Sequence, residues 1–374
     1  MFLFFPKTTT FAENEGDDKI SSAIEEIIIG LDLEKLEAEF SDVPIFENSS
    51  LQEVIKKYIS GETSFSPEDI FSLIISLIFT NINGFLPQIC AICAICIFSS
   101  VLDAIKINSS DKSLIELSFF VISALVISLA ASLYFSVFNL AKNTIESLTS
   151  QMQAAFPVII TLISASGANV TASIYQPSVA YICTFESLIA EKILFPIVIL
   201  MFLFNAINSL SENIKVNKFI DFLKSTFKWI SGGTSLVFCF FITAQGITSS
   251  VYDGFSIKFL KYFVGGSVPI VGQIVNGGLD IVVASCIMVK NAIGILSLII
   301  LVFTVIAPII KIAVLSLFLR FLAAVLEPSC DSKTVKYISS VADSLNYLSA
   351  IVIIIAVVYL IMIFLAICSL GGIV

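Results

Sequence analysis

About six apolar runs, each near the 20 residues that a helix needs to cross a bilayer, constrain the fold of this chain most. They lie at residues 84–102, 115–138, 187–209, 231–250, 292–319 and 347–369. The composition agrees with them, because 57% of the residues are hydrophobic and only 13% are charged. We therefore predict an all-α polytopic membrane protein, with broken or re-entrant elements and interfacial helices between the spans.

The acidic residues are concentrated at the N-terminus. Residues 1–69 contain 16 of the 29 acidic residues and 5 of the 20 basic residues, which leaves the rest of the chain with a net charge of +2. Apolar residues recur at helical spacing between 17 and 60, so two or three amphipathic helices are expected there. We divide the chain into a helical region, 1–66, and a membrane domain, 67–374. Residues 1–12 are interpreted as a truncated signal peptide, since their apolar run is only four residues long.

A glycine-rich stretch interrupts the apolar sequence of the C-terminal half. Glycine and proline free peptide groups that hydrocarbon cannot hydrogen-bond, so such a stretch must be buried in protein or line a wet cavity. We predict that residues 265–278 form a non-helical, re-entrant element beside a polar pathway. The candidate residues are Gly265, Gly266, Pro269, Gly272, Gln273, Asp280, Lys290, Asn291, Pro308 and Lys311.

Several charges lie in or beside apolar runs, where a central charge costs at least about 2.5–3.5 kcal/mol. Two interpretations of Asp280, Lys290 and Lys311 remain open. They line a polar pathway, or the lysines reach the membrane surface with their long stems. Asp280 is the partner that we expect for Lys311, whereas Glu191 and Lys192 are expected to pair at the interface.

A second interrupted element lies at 156–177, where serine, alanine, glycine and asparagine separate two apolar arms. Such residues permit a re-entrant turn or close helix packing. One broken element in each half is also an arrangement found at transport sites, although the similarity between the two is too weak to establish a repeat. The candidate residues of this element are Pro157, Ser166, Gly167 and Asn169.

Three amphipathic segments, 68–82, 139–154 and 211–230, are predicted to lie along the membrane surface. The last one is basic and contains the only tryptophan, which suits an anionic lipid surface. The loops on one side of the membrane contain nine lysines and arginines and those on the other side contain four, which places the N-terminal region outside the cytoplasm. The residues of the basic segment are Lys215, Lys218, Lys224, Lys228 and Trp229.

The sequence contains no histidine, which excludes histidine-based catalytic triads and histidine metal sites. Seven of the eight cysteines lie in apolar runs, where a reduced thiol behaves as a small apolar side chain. We predict no cofactor, no metal site and no enzymatic activity.

Five sequence blocks, in this order, resemble the stage III sporulation protein AE family. They are FPVIITLISASG at 156–167, AQG at 244–246, VPIVG at 268–272, KNAIG at 290–294 and PIIK at 308–311. The resemblance implies a polytopic protein of endospore-forming bacteria, made in the mother cell and placed in the membrane around the forespore. It also implies a channel-like complex, related in part to secretion machines, with the other stage III sporulation A-operon proteins and stage II sporulation protein Q.

Two functions remain in competition. The chain is a non-enzymatic subunit of that complex, or it is an autonomous secondary transporter for a small solute. Broken elements and buried charges suit both, so the residues alone leave both open. The resemblance favours the first.

Overall fold

The computed structural model describes residues 15–31, 33–41, 50–59, 86–98, 112–210, 216–267, 271–328, 330 and 332–369. In this part of the chain all regular secondary structure is helical, which confirms the predicted all-α fold. A π-helical turn, Ala190–Leu194, separates the sixth helix from the seventh. The helices are α1 (Glu15–Gly30), α2 (Glu34–Ser41), α3 (Leu51–Ile59), α4 (Leu86–Phe98), α5 (Lys112–Ala165), α6 (Asn169–Ile189), α7 (Phe195–Leu210), α8 (Asn217–Ser267), α9 (Val271–Leu326) and α10 (Ser332–Cys368).

Among the described residues, five helical segments are long and apolar enough to cross a membrane, where we predicted about six. They are α5, the continuous segment from α6 through α7, α8, α9 and α10. The predicted first span corresponds to α4, which is a shorter apolar helix. The predicted interfacial helix at 68–82 lies outside the described residues. Several helices exceed one bilayer, since the 46 residues of Phe120–Ala165 extend about 70 Å at 1.5 Å per residue.

A tight turn joins α5 to α6, so that the two helices form a hairpin. Gly167 has a φ of 93°, a left-handed conformation that glycine adopts without steric cost. The Gly167 N–H donates to the Ser164 carbonyl at 3.0 Å, and the Ala168 N–H donates to the Ile163 carbonyl at 3.2 Å. These two hydrogen bonds are those of a Schellman motif, which ends α5 at Ala165 and allows α6 to begin at Asn169.

Aromatic contacts show which parts of the long helices lie side by side. Tyr134 of α5 stacks on Phe202 of α7 with ring centroids 4.2 Å apart, and Phe202 lies 6.3 Å from Tyr337 of α10. Phe227 of α8 meets Tyr347 of α10 at 4.9 Å. These rings belong to one continuous core to which every long helix contributes.

Two segments predicted as separate surface helices are parts of longer helices. Residues 139–154 continue α5, because Leu148 and Met152 are buried in the core and hold this part of the helix in the bundle. Residues 217–230 begin α8, which runs through Gly232 and Gly233 into the predicted span 231–250. A glycine inside a helix costs about 1 kcal/mol relative to alanine, which is less than one buried aromatic side chain contributes.

The stretch predicted to be non-helical, 265–278, has a largely helical backbone. Helix α8 continues through Gly265 and Gly266, and α9 begins before Gly272, Gly277 and Gly278. Residues 268–270, with Pro269 among them, lie outside the described residues. The prediction is therefore wrong for these glycines, because glycine permits a break in a helix without imposing one.

The N-terminal helices pack against the long helices. Ile28 of α1, Leu36 of α2 and Ile55 of α3 are buried in the same core as the membrane helices. Helices α1 and α3 contact α9, and α2 contacts α5. The Ser50 hydroxyl oxygen accepts the Glu53 N–H at 3.3 Å, so Ser50 caps the start of α3.

Candidate functional site

One end of the bundle is nearly free of charge. Gln151 of α5 donates to the Thr304 hydroxyl of α9 at 2.8 Å, and the rings of Phe185 of α6 and Phe238 of α8 lie 6.0 Å apart. Four segments make up this end, 147–190, 229–244, 281–310 and 344–368, and we call them together the charge-poor zone. They contain only two charged residues, Glu186 and Lys290. At 1.5 Å per residue, segments 281–310 and 344–368 are each long enough to cross a hydrocarbon core of about 30 Å.

The opposite end of the bundle is less uniform. Helices α5 and α7 remain apolar there, but α8 exposes Lys228, and Arg320 of α9 donates to Asp343 of α10 at 2.8 Å. Between the two ends, Lys142 of α5 forms an ion pair with Glu191 at 3.6 Å. The charge-poor zone is therefore the part of the bundle in which every long helix suits hydrocarbon.

Lys290 of α9 is buried in the charge-poor zone, with 1% of its surface exposed. Its ammonium donates to the carbonyl oxygens of Ala366 at 3.1 Å, Ile367 at 2.9 Å and Ser369, where α10 ends. Carbonyls in the last turn of a helix have no partner within that helix. The three donors of the ammonium satisfy three of them, and its charge is favourable at a helix C-terminus. Lys290 thus fastens the end of α10 to α9.

Glu186 of α6 is the second charge in this zone and is 4% exposed. In the described part of the chain, neither of its carboxylate oxygens has a hydrogen-bond partner. Cys183, Tyr359 and Cys239 are its electrostatic neighbours, and the π-helical turn follows one helical turn later. An ionisable residue inside a membrane and a π-helical turn are both frequent at functional sites. Glu186 is not among the site residues predicted from the sequence.

The hairpin of α5 and α6 has an open cleft of about 750 Å³ along its outer side. Pro157 of α5 and Val179 of α6 mark the two walls of this cleft. Six uncharged polar residues line it, all of them exposed, and they recur at helical spacing along both helices. We call these six residues the hairpin face: Gln153, Thr161, Ser164, Asn169, Ser173 and Gln176.

Part of the hairpin face is hydrogen-bonded within the hairpin. The Ser164 hydroxyl donates to the Asn169 side-chain oxygen at 2.9 Å and so joins the two helices across the turn. The hydroxyls of Thr161 and Ser173 donate to backbone carbonyls of the preceding turn at 2.8 Å and 2.9 Å. Their oxygens can still accept a hydrogen bond, and a glutamine amide carries both a donor and an acceptor. This face can therefore form several further hydrogen bonds with an uncharged polar surface or with water.

The structure brings together the second predicted element but not the glycine-rich one. Gly167 forms the turn, Ser166 is buried beside it, Asn169 begins α6, and Pro157 lines the cleft. Sequence reasoning missed most of the hairpin face. The signal that could have revealed it is the recurrence of hydroxyl and amide residues at helical spacing on both arms.

The candidates in the glycine-rich stretch are spread along α9. Asp280 and Lys311 lie on one continuous helix, so at 1.5 Å per residue they are about 46 Å apart and the predicted pairing within the chain is wrong. Lys290 and Lys311 are likewise separated by about 30 Å and do not converge on one point. Pro308 is buried within α9, and the side-chain oxygen of Asn291 is buried without a hydrogen-bond partner among the described residues.

The basic segment forms the first turns of α8. Lys218 and Lys228 are exposed, Lys224 is partly buried, and Trp229 is 80% exposed. Lys215 lies outside the described residues. Exposed lysines beside an exposed tryptophan suit the headgroup region of a membrane. The other predicted interfacial pair, Glu191 and Lys192, has its charged atoms 3.9 Å apart.

A sequence model of a known family, described as stage III sporulation protein AE, matches residues 49–371. The chain belongs to the stage III sporulation protein AE family. A curated relative, stage III sporulation protein AE of Bacillus subtilis (strain 168), is 22% identical over 317 residues, which cover 85% of this chain and 78% of that protein. No solved structure matches the chain. The resemblance noted in the sequence is thus confirmed, and the hairpin face, Glu186 and Lys290 all lie in the matched region.

Proposed function

We propose that this chain is a non-enzymatic membrane subunit of a channel-like complex that links mother cell and forespore and is required for forespore development. Membership of the stage III sporulation protein AE family supports a role in sporulation. Five helices of spanning length support a position in the membrane. Beyond the family and the membrane position, we propose that the chain assembles into a channel-like complex, that this complex lies in the membrane around the forespore, and that the chain has no catalytic activity.

The hairpin face is the observation that carries this proposal. It exposes six hydroxyl and amide side chains in the charge-poor zone, the part of the bundle that we assign to the hydrocarbon core. Polar groups in hydrocarbon are costly and usually face other helices or a water-filled cavity. A chain that keeps such a face on its outside is suited to contact with other protein subunits or with a water-filled passage.

The partners in this proposal are the other stage III sporulation A-operon proteins and stage II sporulation protein Q. The complex lies in the mother-cell membrane that surrounds the forespore, with the N-terminal region of this chain outside the mother-cell cytoplasm. The exposed lysines at the start of α8 contact anionic lipid on the cytoplasmic surface.

A strain that carries Gln153→Leu and Gln176→Leu in place of the native gene tests the proposal. Both changes make the chain more apolar, so membrane insertion should be retained while subunit contacts are lost. We expect normal membrane levels, a lower sporulation efficiency and less co-isolation with the other stage III sporulation A proteins. The matched control is Thr243→Leu, an exposed polar position of α8 in the same zone but outside the hairpin face. Equal sporulation in the two strains would contradict the proposal.

The proposed topology has a separate test. Single thiols are introduced at Ser49 and at Ser332, and intact cells are treated with a thiol reagent that does not cross membranes. We expect labelling at position 49 only. Labelling at 332 without labelling at 49 would invert the topology, and the proposed position of the N-terminal region would then be lost.

An autonomous secondary transporter is the second candidate, and Glu186 is the observation that favours it. A buried carboxyl group without a hydrogen-bond partner among the described residues is a feature of ion-coupled transport. The purified chain alone in liposomes distinguishes the two functions. Solute uptake that depends on an ion gradient and is lost in Glu186→Gln would establish the transporter, whereas the subunit proposal expects no uptake by the chain alone.

A further inference from the structure

We propose that the hairpin face of one chain packs against the hairpin face of a second copy, so that two chains form a twofold-symmetric pair in the membrane. This inference rests on the proposed function and names one partner of the exposed face. Its first support is the chemistry of the face. The six residues carry no charge, and hydroxyl and amide groups both donate and accept hydrogen bonds. Two copies of the same face can therefore meet without electrostatic repulsion and with matching donors and acceptors.

The shape of the hairpin supports the same contact. Ala165, Ala172 and Ala180 lie among the polar residues of the cleft, and the lining also includes Ser164 and Ser173. Small residues let helix backbones approach closely, and in membranes they combine with interhelical hydrogen bonds to hold helices together. The cleft of about 750 Å³ leaves room for side chains of a facing helix between the two arms.

The exposed face of α8 in the same zone is different and serves as an internal comparison. Leu236, Val237 and Phe240 are large, apolar and between 61% and 73% exposed, which suits contact with lipid chains. The hairpin therefore differs from a lipid-facing surface in both polarity and residue size. In a twofold contact each surface is its own complement, so a self-complementary face needs no second kind of subunit.

Site-specific photo-cross-linking in the native membrane tests the inference. A photoreactive amino acid replaces Ser173 on the hairpin face or Leu236 on the face of α8, with the rest of the chain unchanged. Two copies with different affinity tags are expressed together, so a cross-linked pair carries both tags. We expect the doubly tagged product from position 173 and not from position 236.

A variant that keeps the fold completes the test. With the photoreactive residue at 173, the combined Gln153→Leu and Gln176→Leu changes should lower the yield of the doubly tagged product by about tenfold, since four interhelical contacts are lost per pair. Membrane levels should stay unchanged, and Thr243→Leu should leave the yield as it is.

Two outcomes would overturn the inference. If position 173 cross-links only to a different protein, the second copy is not the occupant, but the proposed role in a larger complex survives. If position 173 cross-links to nothing beyond what position 236 does, and the glutamine variants sporulate normally, both the inference and the proposed function fail.

Discussion

Lys290 offers the sharpest prediction about stability. Its ammonium satisfies three carbonyl oxygens at the end of α10. The contacts to Ala366 and Ser369 are buried, and the contact to Ile367 is partly buried. Replacement by methionine keeps most of the volume and removes all three donors. The Ala366 carbonyl keeps the Ser369 hydroxyl as a donor at 2.7 Å, so two carbonyls lose their partner. A buried acceptor without a partner costs about 1–3 kcal/mol, which gives about 2–6 kcal/mol for the two. Methionine has no charge to bury, so the desolvation cost of the ammonium disappears and offsets part of this loss. About 2 kcal/mol of destabilisation is then expected.

Cys286 provides a local measurement of this effect. It lies one turn before Lys290 on α9 and is only 2% exposed. A loss of about 2 kcal/mol in the contact between α9 and α10 should raise the rate at which a thiol reagent reaches Cys286 by about thirtyfold, if opening of this end limits labelling. Mass spectrometry of the labelled peptide separates Cys286 from Cys368, which is exposed in the native chain.

The matched control for this experiment is Lys192→Met. The Lys192 side chain is 71% exposed, so the same chemical change there should leave the labelling of Cys286 unaffected. If Lys290→Met and Lys192→Met give the same labelling rate, the carbonyls at the end of α10 do not depend on Lys290. The capping argument would then be refuted.

Three further predictions follow from individual contacts. Gly294→Ala should destabilise the contact between α9 and α10 by about 1–3 kcal/mol, because the new Cβ would lie 2.5 Å from the Ile367 side chain. Gly232→Ala, with open space around its Cβ, should be neutral or stabilising. Thermal unfolding of the two variants measures both effects. Lys56 of α3 donates to the Glu25 carboxylate of α1 at 2.7 Å and holds the pKa of Glu25 below its ordinary value. The stabilisation from this contact is therefore fully present above the ordinary pKa and is lost as the pH falls through the lowered pKa. Lys56→Met should return the carboxyl titration, followed by carbon-13 NMR, to the ordinary value. The fluorescence of Trp229, the only tryptophan, should be quenched by lipids brominated near the headgroup more strongly than by those brominated at the chain ends.

The differences between prediction and structure have a common physical cause. Helix breaks were assigned wherever glycine, proline or polar residues interrupted an apolar run. At 166–168 the interruption does end a helix, because Gly167 adopts a left-handed conformation and two hydrogen bonds close the turn. At Gly232 and Gly233, and at the glycines of 265–278, the helix continues. Each of these residues has a local preference of only about 1 kcal/mol, which packing against neighbouring helices outweighs.

The sequence by itself determined the class of protein, the family and the presence of several charges in or beside apolar runs. Apolar length and composition act locally, so they can be read without knowing which helices are neighbours. Only the tertiary structure decided how those charges are treated. Lys290 meets the end of a helix that lies 76 residues further along the chain, whereas Glu186 meets no hydrogen-bond partner in the described residues. It also decided that two separate polar patterns, one on α5 and one on α6, become a single outward face. Contacts between distant segments depend on how helices pack, and no local pattern specifies them.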